Sequence, residues 1–300
     1  MVGKGLQMAD ASSGLELEQV GFIGLGNIGA PMARTLCGGP FEVVVFDLVE
    51  AAVSALVDSG ARPATSCRDV GSRCQVIGVC VVDDAATEAV VAGDEGVLSG
   101  AVPGTVVVLH STIHPDTARR LAATAEEQGV AVVDAQMTGG AGAAAKGELR
   151  FMVGGDPAAL ERSRPMLEVM ASEITQCGAI GMGAVAKLCN NLAQFVAWVG
   201  ITEAARLADN SGLERKRLVE VLSWLMNDNA RTFLASRTVL ENDPENRPLA
   251  DALGAAMQLA EKDLSLALAV GRSVGISLPG TAVTAQQVAR LFGIQDPKRR

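Results

Sequence analysis

The sequence predicts an α/β fold: a doubly wound parallel sheet, then a long interdomain helix and an all-α C-terminal domain. Between residues 20 and 180, short Val/Ile-rich runs alternate with amphipathic stretches, as in a parallel sheet wrapped by helices. From Ala184 to Asp209 there is no proline and a single glycine, Gly200, and apolar residues recur at helical spacing on nearly every face. No strand-like alternation returns after that. The expected divisions are residues 1–19 as an N-terminal tail, 20–182 as a nucleotide-binding domain, 183–211 as the connecting helix and 212–300 as the helical domain.

The first strand is read at Val20 to Ile23, and the glycine-spaced turn GFIGLGNIG follows it directly. Gly24 allows a tight turn, Gly26 lets backbone approach a pyrophosphate, and Gly29 lets the next helix pack closely. Free N–H groups at that helix start face negative phosphates, so Gly24, Gly26, Asn27, Ile28 and Gly29 are candidate cofactor contacts. A second apolar run, Val43 to Phe46, ends at Asp47, whose carboxylate can accept hydrogen bonds from both hydroxyls of an adenosine ribose. It would repel a 2′-phosphate, which predicts NAD over NADP. A glycine-rich surface turn beside a solvated aspartate is the competing reading. The order strand, turn, helix, strand, acid favours the Rossmann-type one.

Gln75–Val82, Thr105–Leu109, Val130–Asp134 and Leu149–Val153 are the clearest further strands. Asp156-Pro157 opens another helix, and Glu173 to Gln176 forms a last short strand. Ser211-Gly212 ends the long helix, and the remaining helices are expected at Arg215–Met226, Ala230–Leu240, Asp251–Val274 and Thr281–Leu291.

Composition narrows the function. A chain of 300 residues, 49% hydrophobic and 20% charged, fits a compact soluble protein of about two domains. Its net charge of -9 argues against nucleic-acid binding, and Lys298-Arg299-Arg300 is too short a cluster to alter that. No apolar stretch nears the ~20 residues that span a bilayer. The six cysteines show no paired metal-ligand spacing and read as small buried hydrophobes in a reducing compartment. The first 19 residues lack an apolar signal core and arginine, so the expected location is cytoplasmic. Without tyrosine, no tyrosine hydroxyl can serve as a catalytic acid. His110 and His114 lack a matching cluster of ligands, so no metal site is expected. His114 precedes Pro115 at a helix start and is read as a cap or an exposed group; His110 could line the cleft, and neither joins the catalytic set.

Lys187 and Asn191 stand four apart near the start of the long helix, on one face. An ammonium among Ala, Val, Leu and Cys, near the positive end of a helix, should have a lowered pKa and exchange a proton near neutrality. A lysine snorkelling from a surface helix fits the spacing equally well.

Four blocks occur in order between Gly21 and about Pro279: GFIGLGNIGAPMA, DAQMTGGAGAAAKGEL, GAVAKLCNN and EKDLSLA. In them the chain resembles the β-hydroxyacid dehydrogenases, the family that includes 3-hydroxyisobutyrate dehydrogenase. The resemblance implies reversible, NAD-linked oxidation of a β-hydroxy acid, or reduction of its semialdehyde. It implies Lys187 as general acid/base, Asn191 as a substrate-orienting group, and Thr138, Gly139 and Gly140 as the cradle of a small-molecule carboxylate. By the same likeness Lys262 reaches the nicotinamide side of the cleft, with Ser111 and Thr112 beside the cofactor. Three departures stand out: Gln136-Met137-Thr138 replaces Pro-Val-Ser, His110 replaces an acid, and Ala255 replaces a phenylalanine seven residues before Lys262, which should enlarge the pocket. An imine reductase resembles this fold with another residue in place of the lysine, and a non-catalytic assembly module is a further reading. The long helix carries more apolar face than one small domain covers, so a homodimer or homotetramer is expected.

Overall fold

A computed structural model describes residues 19–226 and 228–294 of the chain. Residues 1–18 of the expected tail and the Lys298–Arg300 cluster lie outside the described residues, while Gln19 already pairs with Glu42 in the first strand. Eight strands form one sheet: β1 Gln19–Ile23, β2 Glu42–Phe46, β3 Arg62–Pro63, β4 Val76–Val79, β5 Val106–Leu109, β6 Ala131–Thr138, β7 Leu149–Gly154 and β8 Ala171–Gly178. Their order is β3-β2-β1-β4-β5-β6-β7-β8. The chain reverses its direction of progress between β1 and β4, and the crevice beyond their carboxyl ends is where such sheets bind ligands.

The first six strands are parallel, as the alternation predicts, but β7 runs antiparallel to β6, and β8 runs parallel to β7. The cause is the length of the connection. Between Thr138 and Leu149 the chain makes only the short helix α6, Gly140–Ala144, in a sheet where a parallel return needs a dozen residues or more.

Helices cover both faces. On one side α1 (Gly29–Cys37), α2 (Glu50–Val57), α6 and α7 (Pro157–Met170) bury Met32, Leu36, Leu56 and Met166 against Phe22, Val108 and Phe151. On the other, α3 (Cys67–Arg73), α4 (Asp84–Ala92) and α5 (Pro115–Glu126) bury Val70, Val91 and Leu121 against Ile77, Val107 and Leu109. Strands buried from both sides explain the uninterrupted Val/Ile runs in the sequence.

The long helix α8 spans Met182–Asn210. It is followed by α9 (Arg215–Val221), α10 (Asp228–Asn242), α11 (Arg247–Ser273) and α12 (Pro279–Phe292). The last three pack with α8 around Phe195, Phe233, Leu264 and Phe292, while α9 packs Leu218 against Ile201 and Ala205 of α8. Two of these helix boundaries differ from expectation by more than two residues. α9 stops at Val221, and of the apolar residues that follow only Met226 is buried, whereas Trp224 is 81% exposed. α11 starts at Arg247 because Asn246 accepts a hydrogen bond from the Leu249 N–H and Pro248 suits a first turn.

One buried acid fixes how α8 leaves the sheet. Asp134, at the centre of β6, is fully buried; one oxygen accepts the Gly181 N–H and the other the Ala184 N–H, both at 2.7 Å. A Cβ on Gly154 or Gly183 would fall against this carboxylate, so only glycine fits at both positions. Burial pushes the Asp134 carboxyl up to about 6, with the helix N–H donors opposing the rise. Its folded pKa therefore lies above its unfolded one, and the folded state binds the extra proton. Stability from this group should fall as pH rises from about 4 to about 6 and stay level above, a slope that Asp134→Asn abolishes in urea titrations. Asp134→Ala strands two backbone donors and should cost about 2 to 4 kcal/mol. A variant within about 0.5 kcal/mol of the parent would mean that the clamp holds nothing.

Candidate active site

At the carboxyl end of β1 the chain turns on glycines for separate physical reasons. Gly24 has φ +92°, donates its N–H to the Phe46 carbonyl at 3.0 Å, and has the Cys80 carbonyl where a Cβ would sit. A Cβ on Gly29 would collide with the Gly24 carbonyl, so helix and turn close on each other only with glycine there. Gly26 faces open space, with nothing within 4 Å of a built Cβ. No side chain caps the start of α1 at Ile28; the Ala30 N–H is donated to the Gly26 carbonyl at 3.0 Å and Pro31 has none, so within the first turn the Gly29 N–H is the one left to meet an anion. Asp47 sits at the end of β2 and accepts the Leu25 N–H at 2.6 Å and the Val49 N–H at 2.8 Å. These bonds fix the carboxylate beside the turn, and its remaining lone pairs suit a diol. The open approach at Gly26, the uncapped helix and the oriented acid fit the phosphates and ribose of a dinucleotide.

Further along the crevice a cavity of about 520 Å³ brings together Ile28, Ser111, Thr112, Thr138, Gly139, Gly140, Lys187, Asn191 and Lys262. Gly24, Gly26, Asn27, Gly29 and Asp47 lie outside its lining. A larger cavity of about 780 Å³, beside Val130–Val132 and Val153, contains none of the candidate residues. The candidate polar groups converge in the smaller one.

Ser111 Oγ accepts the Val81 N–H at 2.9 Å, tying the end of β5 to that of β4. Lys262 crosses from α11, donates to the Thr112 carbonyl at 2.7 Å and stands 3.2 Å from Asp263. It is no solvated surface charge: it bridges the helical part and the sheet. Gly139 and Gly140, with φ +128° and +72°, turn the backbone at the end of β6, and both are exposed directly after the half-buried Thr138.

Lys187 lies on the cavity wall, half-buried, one turn before Asn191 on α8. Burial lowers its pKa to about 8; Asp263 opposes that shift and Lys262 adds to it. Asn191 is 5% exposed, donates to Asp263 at 2.6 Å and accepts from Asn190 at 2.9 Å. The acceptor-only carboxylate decides which end of the amide faces it, leaving the second N–H of Asn191 for a ligand. Asp263 is the group that sequence reasoning missed. Its only signal was an acid inside the apolar Leu264 face of α11, next to Lys262.

His110 is 1% exposed, packs between Phe22 and Phe151, and bonds the Ala135 carbonyl through Nδ1 at 2.9 Å. Burial lowers its pKa to about 4, so it is a neutral ring in the cleft wall. His114 caps α5 through Nδ1, accepting the Asp116 N–H at 3.2 Å. Ala255 needs correction: it is exposed and outside the cavity lining, and its neighbour Ala256 lines the cleft with Leu253 and Leu259. Met137, which stands where the resemblance implies valine, lines the cavity. Among the described residues no group of three or more His, Cys, Asp or Glu could hold a metal ion, and no helix is long and apolar enough to cross a membrane.

Residues 19–179 match the family model for the NAD binding domain of 6-phosphogluconate dehydrogenase. Residues 181–296 match that for the NAD-binding region of NADP-dependent 3-hydroxyisobutyrate dehydrogenase. The chain is 40% identical over 265 residues to an NAD-dependent L-serine dehydrogenase of Pseudomonas aeruginosa, covering 88% of each. It superposes on a 3-hydroxyisobutyrate dehydrogenase of Mycobacterium tuberculosis solved with L-serine, with a TM-score of 0.77 and 32% identity, covering 92% of this chain and 94% of that one. An imine reductase from Pseudomonas sp. shares the fold with a TM-score of 0.62 at 21% identity, over 93% of this chain and 95% of that one. With both halves matched in order, the chain belongs to the β-hydroxyacid dehydrogenase family as an NAD-binding dehydrogenase.

Proposed function

We propose that the protein catalyses the reversible oxidation of a β-hydroxy acid to its semialdehyde, with NAD preferred and Lys187 as general acid/base. The observation that carries this reading is a half-buried lysine, with its pKa lowered to about 8, in one cavity with the Gly139–Gly140 turn, Asn191 and Lys262. NAD+ supplies a hydride acceptor when bound, held by the Gly24–Gly29 turn, Asp47, Ser111, Thr112 and Lys262. The N–H groups of Gly139 and Gly140 and the Thr138 hydroxyl hold the substrate carboxylate. The free Asn191 N–H orients the reacting oxygen. Neutral Lys187 takes the hydroxyl proton through Nζ as the C–H electron pair leaves, so the carbinol carbon becomes a carbonyl. In the reverse direction the ammonium returns that proton to the oxygen.

Preference for NAD is supported by Asp47 and by the run that follows it, Leu48 to Ala61, which holds Glu50 and Asp58 and no lysine or arginine to meet a 2′-phosphate. A soluble cytoplasmic homo-oligomer is part of the same proposal. Leu207, 70% exposed on α8, and Val196 on the same helix supply apolar surface for a second copy. Neither the imine reductase nor the assembly-module reading has an observation that favours it over an intact Lys187 and Asn191.

Between pH 6 and 8, kcat/KM for oxidation should rise about tenfold per unit and level near 8, while reduction loses rate above 8. A flat oxidation profile across this range would remove Lys187 as the base. Lys187→Met should lower kcat by about 10²- to 10⁴-fold while leaving thermal stability equal or higher, since a desolvated charge is removed. Asp47→Ser should shift the ratio of NAD to NADP efficiency toward NADP by at least about tenfold; an unchanged ratio would place cofactor discrimination elsewhere.

A further inference from the structure

The wall that bears Lys187 continues well past the reacting groups. Lys187, Asn191, Phe195 and Trp198 follow one another on one face of α8, and all line the same cavity. At 1.5 Å rise per residue, Lys187 and Trp198 are roughly 16 Å apart along the helix. A four-carbon hydroxy acid, with bonds of about 1.5 Å, covers roughly a third of that length.

Beyond Asn191 the lining changes character. Trp198 stacks on Phe233 with ring centroids 4.2 Å apart and planes at 11°. Phe195 and Phe292 meet Trp198 edge-on at 5.6 and 6.2 Å. The chain has only seven phenylalanines, two tryptophans and no tyrosine, and four of these nine aromatics wall this cavity. From α11 come Leu253, Ala256 and Leu259, of which Leu259 is 51% exposed at the cleft although apolar. Among the described residues, the charged ones in the lining are Lys187, Lys262 and Asp263, all at the reacting end. Gln194, Asn229, Thr232 and Ser236 supply the uncharged polar remainder. A substituent reaching this end of the cavity gains from apolar area and ring contacts, while a second carboxylate or an ammonium would lose its hydration and meet no counter-charge there.

We propose that the preferred substrate is a β-hydroxy carboxylic acid whose remaining substituent is large, uncharged and apolar, of aryl size, held along the Phe195–Trp198–Phe233 wall. This rests on the oxidoreductase reading above and goes further by naming the substrate class. The carboxylate stays at Thr138–Gly140, the hydroxyl at Lys187 and Asn191, and the side group extends toward Trp198. Nothing in the redox step changes: the hydroxyl proton goes to Lys187 and the hydride to NAD+.

The test compares initial rates of NAD+ and NADP+ reduction with 3-hydroxyisobutyrate, L-serine and 2-benzyl-3-hydroxypropanoate. The benzyl compound should exceed both small acids in kcat/KM by at least about tenfold, chiefly through KM. A preference for either small acid overturns the proposal and leaves the dehydrogenase reading standing. No oxidation of any of the three by either cofactor overturns that reading, and the proposal with it. In Ala256→Phe and Leu259→Phe, the ratio of benzyl to small-acid efficiency should fall by about tenfold. The ratio is taken within one preparation, so a reduced folded fraction cancels. An unchanged ratio in both variants overturns the assignment of the aromatic wall.

Discussion

The site depends on a buried carboxylate, Asp134, bonded to the first N–H groups of α8. The same strand that carries this acid ends four residues later at Thr138, with the glycine turn directly after it. One rigid element thus sets both the expected carboxylate cradle and the axis of the helix bearing Lys187 and Asn191. Had α8 been joined to the sheet only by loop, the two halves of the site could drift by an ångström or more, which is enough to lose a productive geometry. The low exposure of Asp134 and the glycines forced at 154 and 183 are the structural cost of that rigidity.

The second constraint is electrostatic. Lys187 is shielded enough that its ammonium is destabilised, yet Asp263 stands near enough to limit the shift. Without the acid, burial would drive the amine toward the neutral state across the working range and it could no longer return a proton; without burial, an ordinary lysine would hold its proton at neutral pH. Asp263 also engages Asn191 and lies beside Lys262, which in turn holds the Thr112 carbonyl. This chain of contacts runs from the end of β5 across the cleft to α11 and back to α8, so the charge balance at Lys187 is tied to the closeness of the sheet and the helical part.

The glycine turn after β1 was legible in the sequence because its requirements are local. Gly24, Gly26 and Gly29 answer to backbone geometry within six residues, and Asp47 follows at the end of the next strand. The His114 cap was legible for the same reason. The direction of β7 was not, since it hangs on the length of the β6–β7 connection rather than on any strand pattern. The roles of Asp134 and Asp263 were equally hidden: their partners lie 47 to 50 and 72 residues away in the chain. Ala255 illustrates the narrowest margin, because one residue on a helix is a rotation of about 100°, and that rotation separates solvent from cleft. The start of α11 was missed because Asn246 and Pro248 lie ahead of the apolar pattern that marked the helix.

Lys187 is proposed as the group that changes protonation state near neutrality, and site-resolved NMR observes that change without recourse to rates. With ¹³C-labelled lysine and Lys187→Met to assign the resonance, the Lys187 Cε signal should titrate with a midpoint near 8. A midpoint above about 10, the value of a solvated lysine, would rule out Lys187 as that group.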